Sequence, residues 1–189
     1  MNTSKPTWPA PFTAEGTHVR IEPLGMDHAD DLAEAAADGE LHRLWYTLVP
    51  PPEGIPKEIE RRLGLRDAGS MLPFAVVDRH SGRAVGMTSY MNVDENNRRV
   101  EIGSTWYRKS VQKTPLNTEC KFLLLSHAFE SLGCICVEFR THLMNCQSRR
   151  AIERLGAKQD GILRSNMVMP NGTVRDTVLS SISACEWPA

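Results

Sequence analysis

Three strand-like runs follow one another at residues 72–78, 83–92 and 98–107, and no other feature of the sequence constrains the fold as strongly. Each run is rich in apolar, aromatic or β-branched residues, and only short polar turns separate them. Short turns join antiparallel neighbours, whereas parallel strands need a long crossover. The sequence therefore predicts a three-stranded antiparallel meander.

The flanking segments extend this meander into a larger sheet with helices. Upstream, the pattern predicts a strand at 18–24, helices at about 27–39 and 57–67, and between them a short helical piece at 41–46. Downstream, it predicts a loop at 108–114, a long helix ending near Gly133, a strand at 134–142, a helix at 145–155 and two strands around Asn171-Gly172. The order β-α-α-β-β-β-α-β-α-β-β predicts a fold that combines helices and strands, of class α/β (α+β). In such a fold a mixed sheet is flanked by helices.

Length and charge narrow the classes of protein. The 189 residues suit one domain, which we place at residues 16–189 behind a flexible, proline-rich arm at residues 1–15. With 22 basic and 23 acidic side chains the net charge is -1, so no nucleic-acid partner is predicted. No apolar run approaches the roughly 18 residues of a membrane span, so no membrane association is predicted.

Cysteine and histidine patterns bear on redox environment and metals. Five cysteines, an odd number without regular spacing, do not form a disulfide framework, and we therefore expect a cytoplasmic protein. Neither an HExxH motif nor a paired CxxC motif is present, so no metal is predicted.

The loop at residues 108–114 and the helix after it form a candidate anion site. Thr114 is a plausible N-cap with Pro115 at the first helical position, and Lys113 precedes them in a basic loop. The N–H groups of Leu116, Asn117 and Thr118 would then point forward, unpaired, which suits a diphosphate. The alternative is an ordinary helix start, because Thr-Pro begins many helices.

A second segment, NCQSRRAIERLGA at residues 145–157, follows a strand directly. Together with the earlier motifs it resembles the GNAT acetyltransferases, and within them the RimJ/RimL-like branch of ribosomal-protein N-terminal acetyltransferases. The resemblance spans about residues 16–187. The matching positions, in order, are Glu101-Ile102-Gly103, then Asn117-Thr118-Glu119-Cys120, then Asn145, Ser148, Arg150, Ile152, Glu153, Arg154 and Gly156.

This resemblance implies a mostly antiparallel sheet of about seven strands, splayed between the fourth and fifth, with acetyl-CoA as cosubstrate. The sequence departs from the phosphate loop of the superfamily, since Pro115 and Asn117 replace its small residues. The implied cofactor-binding residues are Trp106, Tyr107, Gln112, Lys113, Thr114, Leu116, Asn117, Thr118, Asn145, Ser148 and Arg150. Trp106 or Tyr107 would hold the oxyanion through a backbone N–H, or both could simply be core residues.

Two residues are predicted to be catalytic. Glu101, on the strand beside the thioester, would take the proton of the amine directly or through water; the alternative is a structural acid paired with an arginine such as Arg99. Many GNAT enzymes carry a tyrosine acid seven residues after the position of Asn145, where this chain has Ile152. Ser148 would assist the leaving thiolate instead.

The predicted function is transfer of an acetyl group from acetyl-CoA to a primary amine of a peptide or protein N-terminus. One alternative changes the acceptor to a small amine such as an amino acid, polyamine or antibiotic. Another is a CoA-binding module without catalysis. A further enzyme hypothesis is nucleophilic catalysis, with Cys120 as the nucleophile and His142 as the base. The expected assembly is a monomer or a homodimer.

Overall fold

The computed structural model describes residues 8–187, which form one eight-stranded sheet with helices on both faces. The strand order is β1-β2-β3-β4-β5-β6-β8-β7, and every pairing is antiparallel except that between β5 and β6. This confirms the predicted mixed sheet. The strands are β1 (Ala14–Glu15), β2 (Val19–Pro23), β3 (Met71–Asp78), β4 (Ala84–Asp94), β5 (Arg99–Tyr107), β6 (Cys136–His142), β7 (Lys158–Val168) and β8 (Val174–Ser183).

Four α-helices lie on the sheet: α1 (Ala29–Ala37), α2 (Ile55–Asp67), α3 (Pro115–Ser126) and α4 (Cys146–Arg154). Helix α2 begins two residues earlier than predicted because Pro56 is tolerated in the first turn of a helix. The helical piece predicted at 41–46 is only a short 3₁₀ turn, Leu41–Arg43. None of the helices within residues 8–187 is long and apolar enough to span a bilayer.

Each face of the sheet carries its own apolar core. On one face α3 and the strands bury a cluster that includes Leu124, Val137 and Ile152. On the other, α1 and α2 cover a smaller cluster that includes Leu32, Ile59 and Trp106. Strand residues therefore alternate between two environments, and the face of a side chain decides which helices it meets.

The sheet opens between β5 and β6. These parallel strands pair only over Arg99–Glu101 and 136–138, and the remaining residues of both strands separate. They are the predicted fourth and fifth strands, because β1 adds a short strand before the predicted first. The predicted splay is thus confirmed, and it leaves a gap that leads from α3 and α4 toward the opposite face.

Part of the predicted arm is packed in this structure. The Phe12 ring stacks on His127 at 3.5 Å between centroids and contacts Phe74 edge-on at 5.0 Å. Glu119 of α3 accepts hydrogen bonds from the backbone N–H groups of residues 17–19, which fixes the start of β2 against α3. Residues 1–7, the rest of the arm, lie outside the described residues.

Candidate active site

A β-bulge on β5 marks the edge of the gap. The register between β4 and β5 shifts so that Ser104 and Thr105 together oppose Thr88, and Ser104 has a left-handed φ of 49°. A bulge of this kind bends its strand and increases the local twist. The bend lies where β5 has separated from β6, so it helps to keep the gap open.

A buried arginine holds this bulge from the α2 face. Arg62 is 1% exposed, and its guanidinium donates to the Ser104 carbonyl at 3.0 Å and to the Ser104 hydroxyl at 2.7 Å. It also donates to Ser89 at 3.1 Å and forms an ion pair with Glu58 at 2.7 Å. These bonds satisfy the buried cation and fix a left-handed residue that would otherwise be strained.

A buried lysine holds the bulge from the α3 face. The Lys121 ammonium donates to the hydroxyl of Thr105 at 2.7 Å and to that of Thr88 at 3.2 Å. No carboxylate within residues 8–187 forms a salt bridge with it. Burial therefore lowers the pKa of Lys121 to about 8.

The start of α3, where an anion site is predicted, differs from the prediction in two ways. Thr114 caps the helix as predicted, but its hydroxyl accepts from the Leu116 N–H at 3.4 Å, so that amide is not unpaired. Because the helix begins at Pro115, the Thr118 N–H is already part of the helical hydrogen-bond ladder. Of the three amides predicted to be free, that of Asn117 remains.

Other donors around this helix start are available. The Asn117 side chain and the Lys113 ammonium make no hydrogen bond or ion pair within residues 8–187. The Lys113 and Thr114 amides likewise find no acceptor in that range. Leu116 is buried at 3% exposure, so it contributes packing, not side-chain binding. A free amide, a carboxamide and a lysine together fit a diphosphate.

Two side-chain bonds connect this helix start with α4 across the gap. Gln112 donates to the Tyr107 carbonyl at 3.0 Å and accepts from Gln147 at 3.2 Å. Arg154 donates to the Thr118 hydroxyl at 3.3 Å. Gln112 and Thr118 therefore lie beside the gap.

The first turn of α4 contributes Asn145, Ser148 and Arg150. The Asn145 side-chain oxygen accepts from the Ser148 N–H at 3.0 Å, which is the N-cap role and leaves the amide nitrogen of Asn145 available. The Ser148 hydroxyl and the Arg150 guanidinium have no polar partner within residues 8–187. Ile152 is 9% exposed and packs in the core, so no acid replaces the missing tyrosine at that position.

Glu101 lies on β5 at the last position paired with β6, just where the gap begins. Its carboxylate accepts from the Asn92 side chain at 2.6 Å and lies 3.4 Å from the Arg140 guanidinium. Burial raises the pKa of Glu101, and the nearby Arg140 only partly offsets this. Arg99, the arginine suggested as its structural partner, pairs with Glu138 instead.

The aromatic pair at the end of β5 lies in the core. Trp106 and Tyr107 are 6% and 8% exposed, on opposite faces of the sheet. The Arg108 N–H bonds to the Val85 carbonyl of β4 at 2.8 Å. Since N–H directions alternate along a strand, the Trp106 amide also points to β4, while that of Tyr107 points toward the gap. Both side chains therefore pack in the core. Of the two backbone amides, only that of Tyr107 points into the gap.

On the opposite face of the sheet, the gap is lined by a loop and by the last hairpin. The Trp45 ring contacts the His142 ring edge-on at 5.2 Å, and the Asn171 side chain donates to the Trp45 carbonyl at 3.4 Å. These contacts join the loop after α1, the end of β6 and the turn between β7 and β8. They form the side on which an acceptor molecule could approach Glu101.

The cysteine hypothesis does not fit this geometry. Cys120 is fully buried in the α3 core, whereas the His142 ring contacts Trp45 on the other face. Burial raises the pKa of the Cys120 thiol, which disfavours the nucleophilic thiolate. All five cysteines are free, and residues 8–187 contain no group of three side chains suited to a metal ion.

Comparison with known proteins identifies the family of this chain. The sequence model of the family described as "Acetyltransferase (GNAT) domain" matches residues 18–158. A curated relative from Bacillus subtilis (strain 168), named "Putative ribosomal N-acetyltransferase YdaF", is 32% identical over 108 residues, which cover 57% of this chain and 58% of that protein. The chain thus aligns with somewhat more than half the length of this relative.

Solved structures share the whole fold. A GCN5-related N-acetyltransferase from Brucella melitensis is 35% identical with a TM-score of 0.85, and the match covers 96% of this chain and 82% of that one. Mycobacterium smegmatis RimJ in complex with CoA-disulfide is similar in fold, with a TM-score of 0.82 at 22% identity over 98% of this chain and 93% of that one. From the family match over most of its length, the chain belongs to the GNAT acetyltransferase family.

Proposed function

We propose that this protein transfers the acetyl group of acetyl-CoA to the α-amine of a peptide or protein N-terminus. The observation that carries the proposal is the gap between β5 and β6, with unpaired donors on one side and the buried Glu101 at its inner end. This arrangement suits a long anionic cosubstrate that enters from α3 and an amine that approaches from the opposite face.

The donors at the start of α3 would hold the CoA diphosphate. The Asn117 amide and side chain, with Lys113, are the groups that have no partner of their own in the described chain. Arg150 on α4 is exposed and unpaired there, and it would contact the CoA phosphates. Pro115 removes one backbone donor, and the Asn117 carboxamide supplies another. Acetyl-CoA brings an activated thioester, whose acyl group passes to an amine.

Glu101 would act as the base. An α-amine with a pKa near 8 is about one-tenth neutral at pH 7, whereas a lysine near 10.4 is neutral about once in 2,500 molecules. A carboxylate with a raised pKa, at the end of the gap, can accept the proton that the amine loses on attack. The contacts with Arg140 and Asn92 favour the charged carboxylate and fix its orientation.

Two further groups would stabilise charge during the reaction. The Tyr107 amide is directed at the gap and would donate to the thioester oxygen as negative charge develops there. The Ser148 hydroxyl has no partner in the described chain and would donate to the leaving sulfur. A serine is a weak acid, so solvent would deliver the proton to the thiolate.

The peptide acceptor is supported by the name of the Bacillus subtilis relative and by the resemblance to the RimJ/RimL-like branch. A module without catalysis is the second candidate, because Pro115 and Ile152 replace residues that the superfamily uses. Calorimetry with acetyl-CoA, followed by thiol release and mass spectrometry across peptides, proteins and small amines, separates these cases. Peptide N-termini should be acetylated. Acetylation of small amines alone would contradict the acceptor, and binding without turnover would favour the module.

A further inference from the structure

His142, at the end of β6, has a buried donor without an acceptor. The ring is 4% exposed, and its Nδ1 accepts the Met144 N–H at 3.0 Å. A nitrogen that accepts cannot also carry the proton, so the proton of the neutral ring is on Nε2. That Nε2 is buried and has no hydrogen-bond partner within residues 8–187. A buried N–H left unpaired costs about 1–3 kcal/mol, which calls for an explanation.

The ring lies on the acceptor face of the sheet. Glu101 and Glu138 are parallel partners and share one face, and alternation along β6 brings Arg140 and His142 to that same face. Trp45 contacts the His142 ring at 5.2 Å and is itself 49% exposed. The orphaned N–H therefore lies beside the exposed Trp45 ring, on the same face of the sheet as Glu101.

The ring is kept neutral by its surroundings. Burial lowers the pKa of His142, and the Arg175 guanidinium on β8 lowers it further, while Asp176 opposes this. A neutral imidazole in this tautomer offers a single N–H. It complements an uncharged oxygen such as a carbonyl, and it has no lone pair on Nε2 with which to accept a proton from an amine.

We propose that His142 is a specificity-determining residue whose Nε2–H binds the carbonyl oxygen next to the acceptor amine, so that α-amino amides and peptide N-termini are preferred over simple alkylamines. This rests on the proposed function and specifies its acceptor. A site built to hydrogen-bond its substrate rejects an analogue without that group more strongly than an apolar pocket rejects a change in size. Trp45 would supply the apolar contact, and His142 the polar one.

The test compares two acceptors of similar shape, alaninamide and sec-butylamine, in which a carboxamide and an ethyl group occupy the same position. Their kcat/KM values are measured for the full-length chain and for His142→Phe, which keeps a ring but removes the donor. His142→Gln keeps an N–H near the position of Nε2, and His80→Phe alters an exposed histidine in the turn between β3 and β4 as a matched control. Because each acceptor is compared with itself across variants, the different amine pKa values cancel.

We expect His142→Phe to lower kcat/KM for alaninamide at least about tenfold more than for sec-butylamine, the size of one lost hydrogen bond. His142→Gln should restore part of the difference, and His80→Phe should leave the ratio unchanged. Nitrogen-15 NMR should also identify the Nε2–H tautomer of His142 in the free protein. Equal losses for both acceptors, or an Nδ1–H tautomer, would overturn the inference alone. Absence of turnover with any acceptor would overturn the proposed function and this inference with it.

Discussion

Replacing Lys121 by methionine should stabilise the protein at neutral pH. The ammonium is buried without a carboxylate partner in the described chain, and burial lowers its pKa from 10.5 to about 8. At about 1.36 kcal/mol per pH unit, that difference corresponds to about 3 kcal/mol of destabilisation in the charged form. Methionine fills a similar volume without charge, and the hydroxyls of Thr88 and Thr105 still bond to each other at 2.7 Å. Subtracting about 1 kcal/mol for lost hydrogen bonds leaves a gain of about 2 kcal/mol.

The difference in stability between Lys121→Met and the wild-type protein should depend on pH. Below pH 8 the lysine is protonated in both the folded and unfolded states, so its full cost is present. Between pH 8 and 10.5 the unfolded chain retains the proton that the folded chain has lost. The stability of the wild-type protein therefore rises with pH relative to Lys121→Met, and the advantage of the variant disappears.

Urea denaturation of the chain without acetyl-CoA, at about pH 7 and about pH 9.5, measures this directly. Lys57→Met, an exposed lysine on α2, is the matched control and should change the free energy of unfolding by less than about 0.5 kcal/mol. A Lys121→Met variant that is less stable than wild type at pH 7, or a difference that does not vary with pH, would show that the buried ammonium does not destabilise the folded protein.

Three further predictions concern the site. Arg62→Met should lower the free energy of unfolding by about 3 kcal/mol or more, because Glu58 and the bulge lose a buried partner; a thermal midpoint near that of wild type would contradict this. Asn117→Asp should raise the KM for acetyl-CoA about tenfold by repelling the diphosphate, with little change in the KM for the amine; an unchanged value for acetyl-CoA would argue against this loop. Glu101→Gln should lower kcat most at acidic pH, where neutral amine is scarce; a pH–rate profile equal to that of wild type would make Glu101 a structural acid.

Local chemistry made much of the fold predictable from the sequence. Alternating apolar residues gave the meander, and the Asn171-Gly172 pair located the final hairpin. Thr114 and Asn145 both cap helices as expected, because capping depends on neighbours only two or three residues away. Sequence patterns that act over two or three residues can be interpreted without knowledge of the tertiary structure.

The contacts that hold the site open were not predictable in this way. Arg62 appears in the sequence as one more charge on a polar helix, and Lys121 as a polar residue before an apolar run. Their roles depend on a bulge whose position is set by the pairing of β4 with β5. A buried cation can be found only once its partners, far away in the sequence, are known.

Long-range pairing explains the difference at Glu101, whereas the difference at Leu116 is local. The sequence neighbour Arg99 seemed the natural partner for Glu101, but the parallel register with β6 brings Arg140 there instead. The Leu116 amide was expected to be free, and the Thr114 hydroxyl accepts its hydrogen bond. The sequence alone allows His142 to act as a base for Cys120. The structure shows that the two residues lie on opposite faces of the sheet.

The proposed function depends most on where the CoA diphosphate binds, and a crystal structure of the protein with acetyl-CoA measures that directly. We predict diphosphate oxygens within about 3 Å of the Asn117 amide, with the pantetheine arm between β5 and β6 and the thioester next to the Tyr107 N–H. Acetyl-CoA bound elsewhere, with the gap between the two strands empty, would contradict the proposed binding site.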